Sequence, residues 1–346
     1  MPDASSIIQH LVSTTQRPVL LVADESLDLT KISPPTQGGQ AITNRWDQHL
    51  ELSKLGWHST FCDYLWPENH ATQLELIYRI SKEKAVVHHI INMAAENVSQ
   101  GSELILVGKR SEGIKTYAKK AQLRLGGTRS EEKLDKDHWL IRLSKGAATG
   151  ARLGEQDYAV LHEVAEVNGH RIFSKPGIFG WSKIDAGSAL LVERLPSLIH
   201  KVLPLANLRV LDLGCGSGYL SLATCSAETQ IHSTDNNAAA LQITELNLAN
   251  AGFNAVVQAS DAGTELSGTF DLILCNPPFH SGFGIDPDLT NKFSQQAARL
   301  LDPEGIACFV VNEHVPLGRI AAKYFNQVNL DINNGSFCVY SLTQPK

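Results

Sequence analysis

Val210-Leu211-Asp212-Leu213-Gly214-Cys215-Gly216-Ser217-Gly218-Tyr219 is the stretch from which the rest of the chain is read. A short apolar run from Arg209 to Leu213 ends in three alternating glycines, and a helical pattern follows at once. A buried strand that turns on glycine into a helix is the ligand-facing unit of an open α/β sheet. Glycine permits the tight turn and leaves no Cβ between the backbone and a ligand. A plain packing turn would not need three of them.

Outward from this loop, Gln230–Asp235, Ala255–Ala259, Phe270–Cys275 and Gly305–Val311 read as strands, with helices over Ala238–Ala251 and Leu289–Leu301. Such alternation implies a mostly parallel sheet covered on both faces. Val328–Leu342, broken by Asn333-Asn334-Gly335, reads as an antiparallel pair closing one edge. The N-terminal half carries a fainter copy, with strands at Pro18–Ala23 and Ser59–Tyr64. Val98–Ala121 parallels Leu301–Phe325: a glycine (Gly101, Gly305), an apolar strand, then a second glycine (Gly113, Gly318) opening a helix that bears Lys119 or Lys323. The small, polar stretch Ser144–Ala151 suits a linker. The expected architecture is therefore α/β, two tandem Rossmann-like domains over residues 1–150 and 151–346, the first of them degenerate.

The 346 residues are 43% apolar and 19% charged, which excludes a disordered or fibrous chain. No apolar run reaches the roughly 18 residues of a membrane span, and Met1-Pro2-Asp3-Ala4-Ser5 lacks the basic cluster of a secretory signal. Six cysteines are scattered without C-x-x-C or zinc spacing, and His88-His89 has no third ligand at metal spacing. A cytoplasmic protein with reduced thiols, no metal and no membrane partner is expected. The net charge of −6 argues against a general polyanion binder. Yet residues 101–145 hold eleven Lys/Arg against six Asp/Glu, a local +5, while the remainder carries −11.

The ligand class follows from what surrounds the glycines. The dinucleotide fingerprint G-x-G-x-x-G needs a third glycine where this chain has Tyr219. Asp212, two residues before the loop, is awkward for a pyrophosphate and suits the ammonium of a methionine moiety. Asp235 ends the second strand, where it can accept from ribose hydroxyls, and Asp261 follows the third, where it can take an adenine amino group. Either of these two acids could instead be a helix N-cap. Three acids in order beside Gly214, Gly216 and Gly218 fit S-adenosylmethionine better than NAD.

The fourth strand runs into Asn276-Pro277-Pro278-Phe279-His280. Paired prolines stiffen the backbone and leave its carbonyls exposed as acceptors, beside an amide oxygen and a ring able to stack on a base. The lone pair of a planar –NH₂ is delocalised and attacks poorly. Hydrogen bonds from it to Asn276 and to the Pro277 carbonyl would return density to nitrogen, with Phe279 holding the base in line for methyl transfer.

Together these motifs resemble the class I S-adenosylmethionine-dependent methyltransferases that act on amino groups. With Lys175-Pro176-Gly177-Ile178-Phe179, Ile184–Leu191 and Asn276–Gly282 added, residues 168–345 are similar to the ribosomal RNA small subunit methyltransferase C family. The resemblance implies N2-methylation of one guanine of 16S rRNA in the assembled 30S subunit by a monomer. It implies catalytic roles for Asn276, Pro277 and Phe279. Cofactor contacts would come from Asp212, Gly214, Gly216, Gly218, Asp235, Asp261 and Asn276, and substrate contacts from Pro278, His280, Lys175 and Lys183. The family's first domain is a decayed copy of its second, serving fold support and RNA binding. Here Ala23-Asp24-Glu25-Ser26 stands at the first loop and Tyr64-Leu65-Trp66-Pro67 in place of Asn-Pro-Pro-Phe. One departure is the turn Gly180-Trp181-Ser182-Lys183, where the family has a Ser-Arg-Asp-Gly-like sequence. N5-methylation of a protein glutamine, a non-catalytic assembly protein and an NAD-dependent dehydrogenase are the competing readings.

Overall fold

The computed structural model describes residues 3–35, 39–66, 73–154, 158–199, 207–278, 280–281, 284–285 and 287–346, with the backbone alone at 280, 281, 284, 285 and 287. It divides into two compact units, Met1–Val160 and Leu161–Lys346. The division falls ten residues later than the linker composition implied. Asn92 exchanges two hydrogen bonds with the Leu153 backbone, and the Arg124 guanidinium donates to the Gly150 carbonyl, which ties that stretch to the first unit.

The first unit holds β1 (Val19–Ala23), β2 (Gln40–Thr43), β3 (His58–Phe61), β4 (Glu75–Arg79), β5 (Glu103–Lys109), β6 (Gly126–Lys133) and β7 (His138–Lys145), ordered β3-β2-β1-β4-β5-β7-β6. Residues of β1 and β4 are buried throughout, as strands covered on both faces must be. Helices α1 (Ala4–Thr14) and α2 (Trp46–Lys54) cover Leu21 and Ile77 on one face, and α3 (Lys84–Asn97) and α4 (Ile114–Leu125) cover Leu20 and Leu76 on the other.

The second unit opens with the hairpin β8 (His162–Val167) and β9 (His170–Ser174). Asn168 and Gly169 join them at φ 51° and 79°, the left-handed pair of a type I′ turn. After α5 (Ala186–Ile199) come β10 (Arg209–Leu213), α6 (Tyr219–Thr224), β11 (Gln230–Asp235), α7 (Ala238–Asn250), β12 (Ala255–Ala259) and β13 (Phe270–Cys275). The short pair β14 (His280–Ser281) and β15 (Gly284–Ile285), α8 (Pro287–Leu300), β16 (Leu301–Asn312), α9 (Leu317–Ala321), β17 (Phe325–Asn333) and β18 (Phe337–Pro345) complete it. The sheet order is β12-β11-β10-β13-β16-β18-β17, the first unit's order repeated strand for strand. Among the described residues no helix is long and apolar enough to cross a membrane.

The repeat also fixes the correspondence between the copies, and it differs from the sequence reading in two places. Cys62 N–H donates to the Thr43 carbonyl as Ser260 N–H does to that of Asp235, so Thr43 stands where Asp235 does. Carried through the strand pairings, this register puts Arg79 at the position of Asn276. Tyr64-Leu65-Trp66 therefore follows β3, not β4, and is the counterpart of the turn after β12. Tyr64 and Ala262 even share a left-handed backbone, φ 52° and 55°. The second glycine pair does not superpose either, since Gly113 caps α4 while Gly318 lies inside α9. Buried Arg79 donates to Glu112 at 2.6 Å and to the Ile80 carbonyl. The equally buried Tyr64 reaches from the end of β3 to Asn44 beyond β2, 2.8 Å away. The first unit's sheet edge is thus filled by its own side chains.

Candidate active site

In the second unit β10, β11, β12 and β13 run parallel, so their C-terminal ends share one sheet edge. Along that edge stand, in order, Asp261, Asp235, the glycine loop and Asn276.

Gly214, Gly216 and Gly218 all have left-handed φ, at 84°, 56° and 77°. The N–H groups of Gly214 and Cys215 converge on the Thr234 carbonyl at 2.9 and 3.0 Å. From α7, Thr244 donates to the Gly216 carbonyl (3.1 Å) and Asn247 to that of Ser217 (2.8 Å). A Cβ at Gly218 would press on Thr244 at 3.2 Å, whereas one at Gly216 would meet nothing within 4 Å. Gly216 therefore marks the open side of the loop.

The three acids do different work. Asp212 is fully buried; its Oδ2 accepts from the Ser221 N–H (3.2 Å) and hydroxyl (2.7 Å) and pins the start of α6. Among the described residues its buried Oδ1 has no hydrogen-bond partner, and burial pushes the carboxyl up to about 6. Asp235 spans the loop and its own turn, accepting from Gly216 N–H (3.0 Å) through Oδ2 and from Asn237 N–H (2.9 Å) through Oδ1. Asp261 forms an ion pair with Lys292 of α8, a partner the sequence reading lacked.

Asn276 leaves β13 with its amide already committed on one side. Nδ2 donates to Asp185 Oδ2 at 2.9 Å and to Ser188 Oγ at 2.8 Å. A carboxylate only accepts, so the nitrogen must be the atom facing Asp185, and Oδ1 is left as the acceptor. Pro277 is buried and Pro278 exposed. Phe279 lies outside the described residues, as does the side chain of His280.

The two lysines read as phosphate contacts part company. Lys183 is exposed on its turn, but Lys175 is buried at 5% exposure, unlike a surface phosphate contact. Trp181 packs with Ile178 on Ala239, Ala240 and Ile243 of α7 and beside the His162 ring, so it serves packing. Asp185, Ser188, Asn247 and Lys292 were missed. A signal existed for the first two: Asp185 lies one residue before α5, spaced as a cap for Ser188 N–H, which it accepts at 2.8 Å.

The arrangement fits S-adenosylmethionine on two observations. The buried Asp212 carboxyl, with Oδ1 unsatisfied among the described residues, places negative charge beneath the loop and favours a cationic ligand group, and the backbone at Gly216 offers close approach with no side chain in the way. Comparison with known proteins agrees. The family model described as methyltransferase small domain matches residues 169–341, and that described as methyltransferase small domain N-terminal matches residues 5–130. The chain is 31% identical to ribosomal RNA small subunit methyltransferase C of Shewanella loihica, with 75% of this chain and 74% of the relative covered. It is 28% identical to the protein of that name from Shewanella sp. strain MR-4, with 98% and 97% covered. Its fold is similar to that of the 16S rRNA N2 G1207 methyltransferase of T. thermophilus, solved in complex with AdoMet and guanosine. That pair has a TM-score of 0.85 at 20% identity, covering 99% of this chain and 92% of the other. A sheet built twice in one order, with an intact glycine loop and Asn-Pro-Pro only in the second copy, places this chain in the ribosomal RNA small subunit methyltransferase C family.

Proposed function

We propose that the second unit transfers a methyl group from S-adenosylmethionine to the exocyclic N2 of a guanine in 16S rRNA. By likeness to its relatives the target is G1207, taken within the small ribosomal subunit. The carrying observation is the Asn276 amide, whose nitrogen is held by Asp185 and Ser188 so that its oxygen accepts. Such an acceptor suits a planar –NH₂, and family membership favours guanine over a protein glutamine.

S-adenosylmethionine, when bound, supplies a methyl group on a sulfonium that departs as a neutral thioether. Asp235 would take the ribose hydroxyls and Asp261 the adenine amino group, while the charge of buried Asp212 would favour the ammonium from beneath the loop. Asn276 Oδ1 and the Pro277 carbonyl accept from the guanine amino group and hold its lone pair toward the methyl carbon, with Phe279, Pro278 and His280 placing the base. With the cofactor held so, the nitrogen lone pair would form the new N–C bond, the S–C electrons would stay on sulfur, and the surplus N–H proton would pass to water. Alignment of this kind is worth roughly 7–11 kcal/mol at reacting distances of about 3–3.5 Å.

The first unit's role is support and RNA binding. Lys115, Arg124, Arg129 and Arg142 are engaged in ion pairs with Glu131, Glu96, Glu75 and Glu103. Lys109, Arg110, Lys133 and Lys136 cluster instead where β5, β6 and the β6–β7 turn end, and belong to no ion pair among the described residues. These, with Lys183, are the phosphate contacts we assign.

Because burial pushes the Asp212 carboxyl up to about 6, cofactor binding should depend on pH. Below that value the carboxyl is neutral and no longer attracts an ammonium, so affinity should fall by roughly tenfold between pH 7 and pH 5. Asp212→Asn should bind weakly and show no such slope. Stability has the opposite sign. A carboxyl raised by burial favours the fold when protonated, and that stabilisation is lost as pH rises through about 6. The ligand-free Asp212→Asn chain should therefore melt higher than wild type at pH 8 and alike at pH 4. Calorimetric titration and thermal melts across pH check both. The function itself is tested by offering labelled cofactor with naked 16S rRNA, unmethylated small subunits and release factors in parallel. Label in RNA supports the reading, and label in protein overturns it.

A further inference from the structure

Asp185 does more at this site than cap a helix. Its Oδ2 accepts from Ser188 N–H in the first turn of α5 at 2.8 Å and from Asn276 Nδ2 at 2.9 Å. The absence of a side chain at Gly187 leaves it room. A Cβ at Gly187 would meet Asp185 Oδ2 at 3.1 Å and the Phe337 ring at 2.9 Å, and a Cβ at Gly180 would come within 3.8 Å of Asp185 Cβ. The carboxylate is thus fixed behind the amide nitrogen, while Oδ1 stands at the other end of the same planar group.

We propose that Asp185 is a positioning residue for methyl transfer that acts through Asn276, fixing which way the amide faces and lending it negative charge. The proposal rests on the reading of Asn276 as the acceptor for the substrate amino group. A carboxylate hydrogen-bonded to an amide N–H draws the amide toward its charge-separated form and concentrates electron density on the oxygen. As the N–C bond forms and the S–C bond breaks, positive charge grows on the attacking nitrogen and its N–H becomes a stronger donor. An acceptor already polarised gains most at that moment, so its effect falls on the transition state more than on binding. Without Asp185 the amide can turn over and present –NH₂ to –NH₂, a contact that opposes the substrate. Asp185 takes no proton in this scheme, because the Asn276 amide lies between it and the reacting nitrogen.

The discriminating variant is Asp185→Asn. Asparagine caps a helix as well as aspartate does, so α5 keeps its cap while the charge behind Asn276 is removed. In the full chain we expect the single-turnover rate on small subunits to fall by roughly 10²-fold, the cost of misplacing a reacting contact. The KM for subunits and the Kd for S-adenosylmethionine should stay within about twofold, and the melting temperature within a few degrees. Asp185→Asn added to Asn276→Ala should cost nothing further, since the effect passes through that amide. A wild-type rate in Asp185→Asn overturns the proposal, as does a rate loss matched by lost cofactor binding or by lost stability. If Asn276→Ala is itself fully active, the reading of Asn276 fails instead, so the two failures are told apart.

Discussion

Replacing Asn276 with alanine should lower the rate of methyl transfer by about 10²–10³-fold while S-adenosylmethionine binds with nearly unchanged affinity. The size follows from the loss of one preorganised hydrogen-bond partner aimed at developing charge. The split between rate and binding follows from geometry. The glycine loop and Asp235 are hydrogen-bonded to each other and to Thr234 and Thr244, and none of these bonds passes through Asn276. Removing the amide also strips a donor from Asp185 and from buried Ser188, but Asp185 is partly exposed and keeps Ser188 N–H. Single-turnover transfer of labelled methyl to small subunits, alongside calorimetric cofactor titration, measures the two quantities separately. An active Asn276→Ala enzyme would remove the basis for the assigned chemistry.

The second large effect is expected at the loop. Gly216→Val should abolish measurable cofactor binding, a loss of at least about 10²-fold, yet leave the unit folded. Gly216 has φ 56°, where an L-residue is strained by roughly 1–2 kcal/mol, and a β-branched side chain more. A Cβ there meets no atom of the described residues within 4 Å, so nothing in the described core is displaced. The side chain instead projects into the space a cofactor would approach. The melting temperature should drop only by the strain, about 4–8 °C per kcal/mol for a domain of 100 residues and less for a larger one. Titration showing binding within twofold of wild type would mean that the ligand does not lie against this turn.

Much of this was legible in the sequence because it is local. Strands β10 to β13 and the closing pair β17–β18 announce themselves by apolar runs ending in Gly214, Asp235, Asn276-Pro277 or Asn334-Gly335. What was not legible depends on contacts that only folding creates. Asp185 and Ser188 reach Asn276 across 91 and 88 positions, and Lys292 reaches Asp261 across 31. Nothing in Lys175-Pro176-Gly177 tells that its lysine is buried, since burial is decided by what packs above it.

The first unit misled for a related reason. There Ala23 and Ile80-Ser81 stand where the second unit has Gly214 and Pro277-Pro278, so the glycine and prolines that mark strand ends are gone. Trp66-Pro67 then drew the eye to the wrong strand. In the sheet pairing that position belongs to Arg79, whose buried ion pair with Glu112 fills the place of the Asn276 amide. The corresponding edge of the first unit, holding Tyr64 and Arg79, keeps the strand order without the glycine loop or the amide.

The most direct test is to incubate the enzyme with unmethylated small ribosomal subunits and S-adenosylmethionine, then locate the new methyl group by nucleoside mass spectrometry of nuclease fragments. The account predicts N2-methylguanosine at one site of 16S rRNA, G1207 by likeness to the T. thermophilus enzyme. A methyl group on another base or ring atom, on a protein side chain, or nowhere at all would contradict it.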